Sequence, residues 1–129
     1  SRPPADFSKT GLVARERTKK MFMRCAYLIG QPQPGKGDEL QQALRSALKM
    51  YMNFDRILSA RLLLGQDHEE GAPAIYATLE FWFETEADLH AALGKPYRQE
   101  FRAWFADNVT PLFDGVIKHI NQDVTEQKP

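Results

Sequence analysis

The sequence has a single cysteine, no long apolar run and no surplus of either charge sign. One cysteine, Cys25, excludes an internal disulfide and fits a reducing cytoplasm. Lysine plus arginine and aspartate plus glutamate number 17 each, which gives no overall attraction to nucleic acid or to an anionic membrane. No stretch reaches membrane-spanning length, and no apolar signal segment follows the basic start. We therefore expect a cytoplasmic protein that binds neither nucleic acid nor membrane.

The sequence also lacks the spacings of common metal and nucleotide sites. The three histidines, His68, His90 and His119, show no ligand spacing, and no Ser/His/Asp or Cys/His set can be argued. Residues 30–37, "GQPQPGKG", come close to a phosphate-binding loop. However, Gly37 replaces the Ser or Thr that would bind magnesium, and two prolines remove N–H donors. We interpret this segment as a loop. Cys25 lies in an apolar strand, which is typical of a core residue and not of a nucleophile.

What the sequence does contain is typical of one globular domain. It has 129 residues, of which 43% are hydrophobic and 26% are charged. The first twenty residues hold six Lys or Arg against two Asp or Glu, without apolar periodicity. We predict a flexible basic tail over 1–20, a domain over 21–125 and a C-terminal tail over 126–129.

Hydrophobic periodicity predicts the element order β-α-β-β-α-β. Asp38 is the expected N-cap of the first helix and Thr85 that of the second helical region, which continues after Pro96. The predicted elements are strand 21–30, helix 38–51, strand 57–65, strand 74–83, helical segments 86–93 and 97–112, and strand 115–124. Right-handed crossovers then give an α+β, ferredoxin-like fold. It has a four-stranded antiparallel sheet, with the first and third strands central and both helical segments on one face.

The third strand has two different faces. We expect its apolar row to meet the helices and its amphipathic row to lie on the uncovered face; the rows are Ile75, Ala77, Leu79, Phe81 and Phe83, and Tyr76, Thr78, Glu80 and Trp82. An uncovered face with Tyr76 and Trp82 is too apolar for a typical monomer. Pairing two such faces by two-fold symmetry would bury it, so we predict a homodimer that closes into a barrel.

The element order and the segment "FETEADLHAALGKPYRQEFRAWFADNVTPLFDG" resemble the dimeric α+β-barrel proteins. Over roughly residues 21–125 the chain is most similar to the EthD-like branch, and next to the antibiotic-biosynthesis-monooxygenase-like branch. The resemblance implies that each subunit acts on a small molecule in a cavity. The reaction is often an oxidation, and it sometimes uses neither a metal nor an organic cofactor. It brings no catalytic set that can be carried over to residues of this chain.

Two groups are candidates for chemistry. Glu80 would be flanked by Arg24 and Arg61 if all three pointed into the barrel, which would hold the carboxylate ionised and leave donors for a ligand. The alternative is a structural ion pair under the dimer interface. His119 could be a general base or a haem contact, and the alternative is a partly exposed structural histidine.

These observations favour a small-molecule oxidoreductase of the monooxygenase type, without a cofactor, that binds an apolar oxygenated substrate between sheet and helices. Glu80 or His119 would be the base. Arg24, Arg61 and Thr78 would supply polar contacts, while Tyr27, Tyr76 and Trp82 would form walls. The alternative is a non-catalytic dimeric module that binds a small molecule, and haem binding is a third hypothesis.

Overall fold

The computed structural model describes residues 17–129, and residues 1–16 of the predicted tail lie outside this range. The elements follow the predicted order: β1 (Thr18–Pro32), α1 (Gly37–Tyr51), β2 (Ser59–Leu64), β3 (Ile75–Phe83), α2 (Glu86–Leu93), α3 (Tyr97–Asn108), a short 3₁₀ helix (Thr110–Leu112) and β4 (Phe113–Gln127). The antiparallel sheet has the strand order β2-β3-β1-β4, so the first and third strands are central, as predicted. The predicted α+β, ferredoxin-like fold is confirmed.

β1 and β4 are longer than predicted and pair along their whole lengths, from Thr18 opposite Gln127 to Pro32 opposite Phe113. Residues 18–20 and 126–127, which the sequence assigned to tails, belong to these strands. Polar cross-strand contacts explain the difference, since Thr18 Oγ1 donates to Gln127 Oε1 at 2.6 Å. Such pairs stabilise strand ends that carry no hydrophobic alternation.

The core lies between the helices and one face of the sheet. The apolar row of β3 faces this core as predicted, with its residues from Ala77 to Phe83 almost fully buried. From β1, Phe22, Ala26 and Leu28 join it, and α1 contributes the helical stripe Leu40, Leu44, Ala47 and Tyr51. The strands, with a period of two residues, and the helix, with a period of 3.6 residues, therefore direct their apolar side chains into one core.

The helix caps match the predictions in one case and not in the other. Thr85 Oγ1 accepts a hydrogen bond from the Asp88 backbone N–H at 3.1 Å, which confirms the N-cap of α2. In α1 the cap position is Lys36, and Asp38 lies inside the first turn. The predicted cap at Asp38 is therefore wrong, although a carboxylate in the first turn still interacts favourably with the helix dipole.

A β-bulge changes the start of β3. Leu28 pairs with Ala77 but Ile29 pairs with Ile75, so Tyr76 is the extra residue. Its side chain lies towards the helices, where Gln41 Nε2 donates to Tyr76 Oη at 3.2 Å. The predicted position of Tyr76 on the uncovered face is wrong because the bulge shifts the alternation by one residue. For the same reason Ile75, paired with Ile29, lies on the uncovered face.

Within residues 17–129, no helix combines the length and the apolar character needed to cross a membrane.

Candidate functional site

A cavity of about 460 Å³ lies between the sheet and the helices. Its floor comes from β1, β3 and β4, and its walls come from α1, the end of α2, α3 and the segments that follow α1 and α3. The lining consists of Arg24, Ala26, Tyr51, Phe54, Leu79, Phe81, Leu93, Arg98, Phe101, Arg102, Phe105, Ala106, Thr110, Ile117 and His119. The volume falls in the range of small-molecule sites.

Three arginines line this cavity. Arg24 stands on β1 directly opposite Phe81 of the core row, and Arg98 and Arg102 lie one turn apart on α3. The Arg24 Nη1 group donates to Asn121 Oδ1 at 3.0 Å. No Asp or Glu lines the cavity, and within residues 17–129 none of the three guanidinium groups forms an ion pair. The cavity therefore carries positive charge that the described part of the chain does not neutralise.

The charge of Arg24 depends on its neighbours in the cavity. Burial lowers the pKa of Arg24, the Coulomb attraction of Tyr51 opposes this shift, and the weaker Coulomb repulsion of Arg98 and Arg102 adds to it. Arg24 stays charged at neutral pH, since a guanidinium does not lose its proton in proteins. An anion in the cavity would relieve this repulsion.

His119 lies at the rim of the same cavity. It stands on β4 opposite Ala26, on the helix-covered side of the sheet. Partial burial, followed by repulsion from Arg24, Arg98 and Arg102, lowers the pKa of His119 to about 4. The residue as a whole is exposed, so solvent offsets part of this effect. With a shift in this direction the imidazole is neutral at pH 7 and can accept a proton.

Tyr51 places a phenol among these charges. Its ring ends α1, is buried, and stacks on Phe81 with an interplanar angle of 9°. The Phe101 ring meets it edge-on, with the centroids 4.5 Å apart. Burial raises the pKa of Tyr51 well above its usual value, so the hydroxyl keeps its proton. Within residues 17–129 no protein group is hydrogen-bonded to this hydroxyl, which leaves it free to donate to a ligand.

Glu80 lies on the opposite face of the sheet. Trp82 Nε1 donates to Glu80 Oε1 at 3.1 Å, and Arg61 Nη1 lies 4.0 Å from the same oxygen. The Arg61 guanidinium also covers the Trp82 ring, 4.5 Å from its centre. Because Cys25 and not Arg24 stands opposite Glu80, Arg24 points to the helices. The predicted contact between Arg24 and Glu80 is therefore wrong, and that with Arg61 is present.

Tyr27 and Thr78 share this uncovered face with Glu80. Gln122 Nε2 donates to Tyr27 Oη at 3.3 Å and lies 3.4 Å from Cys25 Sγ. Burial raises the pKa of Cys25 and that of Tyr27, so both keep their protons at neutral pH. These contacts fit the interpretation of Cys25 as a packed residue.

The eight site residues predicted from sequence thus lie in three places. Arg24 and His119 line the cavity, and Tyr76 packs near the start of α1. The other five form the uncovered face: Tyr27, Arg61, Thr78, Glu80 and Trp82. Among residues 17–129, no group of three or more His, Cys, Asp or Glu could hold a metal ion.

Three titratable residues of the cavity were not predicted as site residues: Tyr51, Arg98 and Arg102. In the sequence Tyr51 belongs to the apolar stripe of the first helix, and in the structure it also packs in the core. The other two carry a signal in their spacing. Arg98 and Arg102 stand at i and i+4, beside Phe101 and Phe105 at the same spacing, so the two pairs lie on adjoining helix faces.

Comparison with solved structures places this geometry in a known fold. The chain is similar to an EthD family protein from Bacillus halodurans, with 10% identity, a TM-score of 0.62, and coverage of 79% of this chain and 96% of that one. It is similar to a dimeric ferredoxin-like protein of unknown function from Jannaschia, with 16% identity, a TM-score of 0.57, and coverage of 81% and 99%. It is also similar to SnoaB, a cofactor-independent oxygenase from Streptomyces nogalater, with 11% identity, a TM-score of 0.52, and coverage of 86% and 96%.

Other matches carry the provisional name antibiotic biosynthesis monooxygenase. The sequence matches no family model, and no curated protein matches it significantly. The resemblance predicted from the sequence is therefore confirmed in the structure, with an EthD family protein and monooxygenase-named proteins among the neighbours. At these identities the similarity defines the fold, and function has to be argued from the site.

Proposed function

We propose that the protein is a cytoplasmic small-molecule oxidoreductase of the cofactor-independent oxygenase type, acting as a homodimer on an apolar oxygenated substrate. The observation that carries this proposal is the cavity between sheet and helices, where a neutral imidazole, a protonated phenol and three guanidinium groups face aromatic walls. The fold shared with SnoaB, itself a cofactor-independent oxygenase, supports it.

The chemistry needs a base, a stabilised anion and dioxygen. A substrate with an activated CH₂ beside a carbonyl loses a proton to the base, and the carbanion so formed is an enolate. The enolate gives electrons to O₂, which is reduced as the carbon is oxidised. The balanced reaction is R₂CH₂ + O₂ → R₂C=O + H₂O. The protein supplies proton transfer, charge stabilisation and a shaped pocket, while dioxygen is the only oxidant.

The cavity residues divide these tasks. His119 is the proposed base because its imidazole is neutral at pH 7. The surrounding positive charge makes it a weak base on its own, but the same charge stabilises the enolate, so ionisation of the substrate is favoured overall. Tyr51 would donate a hydrogen bond to the substrate oxygen, and Arg24 would hold the developing negative charge.

A binding module without catalysis is the second candidate. The position of Glu80 favours it, because the only carboxylate of the predicted site lies outside the cavity, paired with Trp82. That leaves His119 as the one base among the residues that line the cavity in the described part of the chain. Such a protein would bind a small molecule in the same cavity and carry out no reaction.

The proposed homodimer buries the uncovered face of the sheet. Three exposed apolar side chains lie on this face: Leu63, Val116 and Ile120. Met21, Met23 and Tyr27 continue the patch along β1. A second copy presents the same patch, so two-fold pairing covers both at once. The Jannaschia neighbour, described as dimeric, supports this arrangement.

Oxygen uptake with an activated aromatic ketone tests the proposal. With 2-tetralone we expect uptake above the uncatalysed rate and a product in which the CH₂ has become a carbonyl. His119→Gln should lower the rate by about 10²-fold, in line with the contribution of a general base. Arg45→Gln, on the exposed side of α1, is the matched control and should leave it unchanged.

If the protein binds such ketones but takes up no oxygen with any of a panel of them, the binding module replaces the oxygenase as the proposed function.

Titration with haem tests the third hypothesis, haem binding. We expect no Soret band, since the proposed chemistry uses no cofactor, and a stoichiometric Soret band lost in His119→Gln would overturn the cofactor-free proposal.

A further inference from the structure

We propose that the ligand of the cavity is an aromatic carboxylate, an organic acid that is already an anion before any reaction takes place. The inference rests on the proposed function in placing the ligand in the same cavity, but it concerns recognition and requires no turnover. Its basis is the juxtaposition of three guanidinium groups with an aromatic wall in a cavity that no carboxylate of residues 17–129 lines.

The charge of the cavity is unusual for this chain. The chain balances 17 basic against 17 acidic residues, yet among residues 17–129 the cavity lining includes Arg24, Arg98 and Arg102 and no acidic side chain. Other arginines of the structure do find carboxylates: Arg56 Nη1 lies 2.9 Å from Asp88 Oδ1, and Arg61 pairs with Glu80. A transient enolate alone would need one such group. Three indicate a ligand with a negative charge of its own.

The placement of two of these arginines has a cost in the ligand-free protein. Arg98 and Arg102 stand at i and i+4 of α3, where like charges destabilise a helix. Arg24 adds a third like charge from the sheet, and burial already disfavours its charged form. A carboxylate that accepts hydrogen bonds from these groups would turn repulsion into charge-assisted binding.

The apolar walls of the cavity indicate the chemistry of the part of the ligand that lies away from the arginines. The aromatic side chains that line the cavity are Tyr51, Phe54, Phe81, Phe101 and Phe105, with Leu79, Leu93 and Ile117 between them. Flat apolar walls of this kind bind rings by stacking and edge contacts. Inorganic phosphate would satisfy the arginines and leave the aromatic walls in water. The combination therefore points to a ring system that carries a carboxylate.

Isothermal titration with matched probes tests the inference. The probes are 2-naphthoate, the neutral 2-naphthamide of nearly the same shape, and inorganic phosphate. We expect 2-naphthoate to bind at least about tenfold more tightly than 2-naphthamide, equivalent to about 1.4 kcal/mol. Raising the salt concentration should weaken only the naphthoate, because screening acts on its charge.

Variants assign the effect to the arginines. Arg102→Gln, at an exposed position, and Arg98→Gln should each reduce naphthoate affinity by about tenfold and leave naphthamide affinity unchanged. Arg45→Gln, exposed on α1 and absent from the cavity, should change neither.

Each outcome decides a specific point. Equal affinity of naphthamide and naphthoate overturns the carboxylate inference and leaves the proposed function standing for neutral substrates. Phosphate that displaces naphthoate at equal concentration also overturns it, since recognition would then be of charge alone. Binding of neither naphthalene probe overturns both the inference and the cavity as the functional site.

Discussion

The Trp82 indole N–H donates a hydrogen bond to Glu80 Oε1 at 3.1 Å, between two residues of β3 that point to the same face of the sheet. The Glu80 side chain is only 15% exposed, and its partner Arg61, at 58%, lies 4.0 Å away. The indole is itself buried. The carboxylate within the aromatic segment is therefore explained by a buried donor that needs an acceptor, with a weak and solvent-screened ion pair beside it.

This relationship predicts different effects for two substitutions of Glu80. Glu80→Ala leaves the buried Trp82 N–H without an acceptor, and we expect it to lower the free energy of unfolding by about 1–3 kcal/mol. Glu80→Gln keeps an acceptor oxygen and loses only the attraction to Arg61, so its cost should stay below about 1 kcal/mol. Urea unfolding at fixed protein concentration measures both, with Glu84→Ala, at an exposed position directly after β3, as the control. Equal losses for the two Glu80 variants would show that charge, and not the hydrogen bond, holds this cluster.

The faces of β3 show how far sequence patterns can predict the site. Strict alternation placed Leu79, Phe81 and Phe83 against the helices and Glu80 and Trp82 on the other side, as the structure has them. Alternation is a local property of a strand, and it fails only where Tyr76 is added by the bulge.

Which residues line the cavity depends on how strands and helices are arranged against one another, so it is not a local property of any one element. Whether Arg24 meets Glu80 depends on the register of β1 against β3, which no single strand encodes. Arg98 and Arg102 belong to a helix whose orientation over the sheet is set by packing of the whole core. For this reason the fold was predictable from hydrophobic periodicity and element order, while most of the cavity was not.

The uncovered face predicts the behaviour of a charge introduced at its centre. Ile120 is 50% exposed on β4, opposite Cys25, in the patch that the proposed dimer would bury. Ile120→Lys should convert the dimer to a monomer, because each interface would bury two unpaired charges. Light scattering after size exclusion measures the mass. Met52→Lys, equally exposed but outside the sheet, is the control and should leave the mass unchanged. A monomeric wild-type protein at tens of micromolar would contradict the dimer directly.

Two glycines face each other where β1 pairs with β4, and a methyl group added to one of them should strongly lower the stability of the protein. Gly30 stands opposite Gly115 and has a φ of +142°, and a Cβ there would lie 2.3 Å from the Asp114 carbonyl oxygen. Gly30→Ala should therefore lower the free energy of unfolding by about 1–3 kcal/mol. Gly37→Ala, at a helix start with open space around it, is the matched control and should be neutral or slightly stabilising. A neutral Gly30→Ala would show that the two strands can separate at this point without cost.

The environment of His119 predicts how stability depends on pH. Its folded pKa, lowered to about 4 by burial and by Arg24, Arg98 and Arg102, lies below the unfolded value of 6.5, while Tyr51 in the same cavity stays protonated. Between these values the unfolded chain binds more protons, so stability falls as the pH decreases from about 6.5 to about 4. His119→Asn should flatten this slope in thermal unfolding, and His90→Asn, on exposed α2, should not. An unchanged slope in His119→Asn would assign the acid sensitivity to other groups.

The arginines of the cavity predict that one substitution improves stability while it removes binding. Arg98→Met keeps an apolar stem of similar length and removes the charge that repels Arg102 and Arg24. The ligand-free protein should gain about 0.2–0.5 kcal/mol in the free energy of unfolding, because the like-charge pair on α3 is gone. The same variant should lose affinity for 2-naphthoate by about tenfold, because a charge-assisted hydrogen bond is lost.

Arg45→Met is the control for both measurements. Loss of stability together with loss of binding would show that Arg98 packs the core, and a gain in stability with full binding would show that it does not face the ligand. Only the opposite signs of the two effects identify Arg98 as a residue kept for its ligand at the expense of the empty protein.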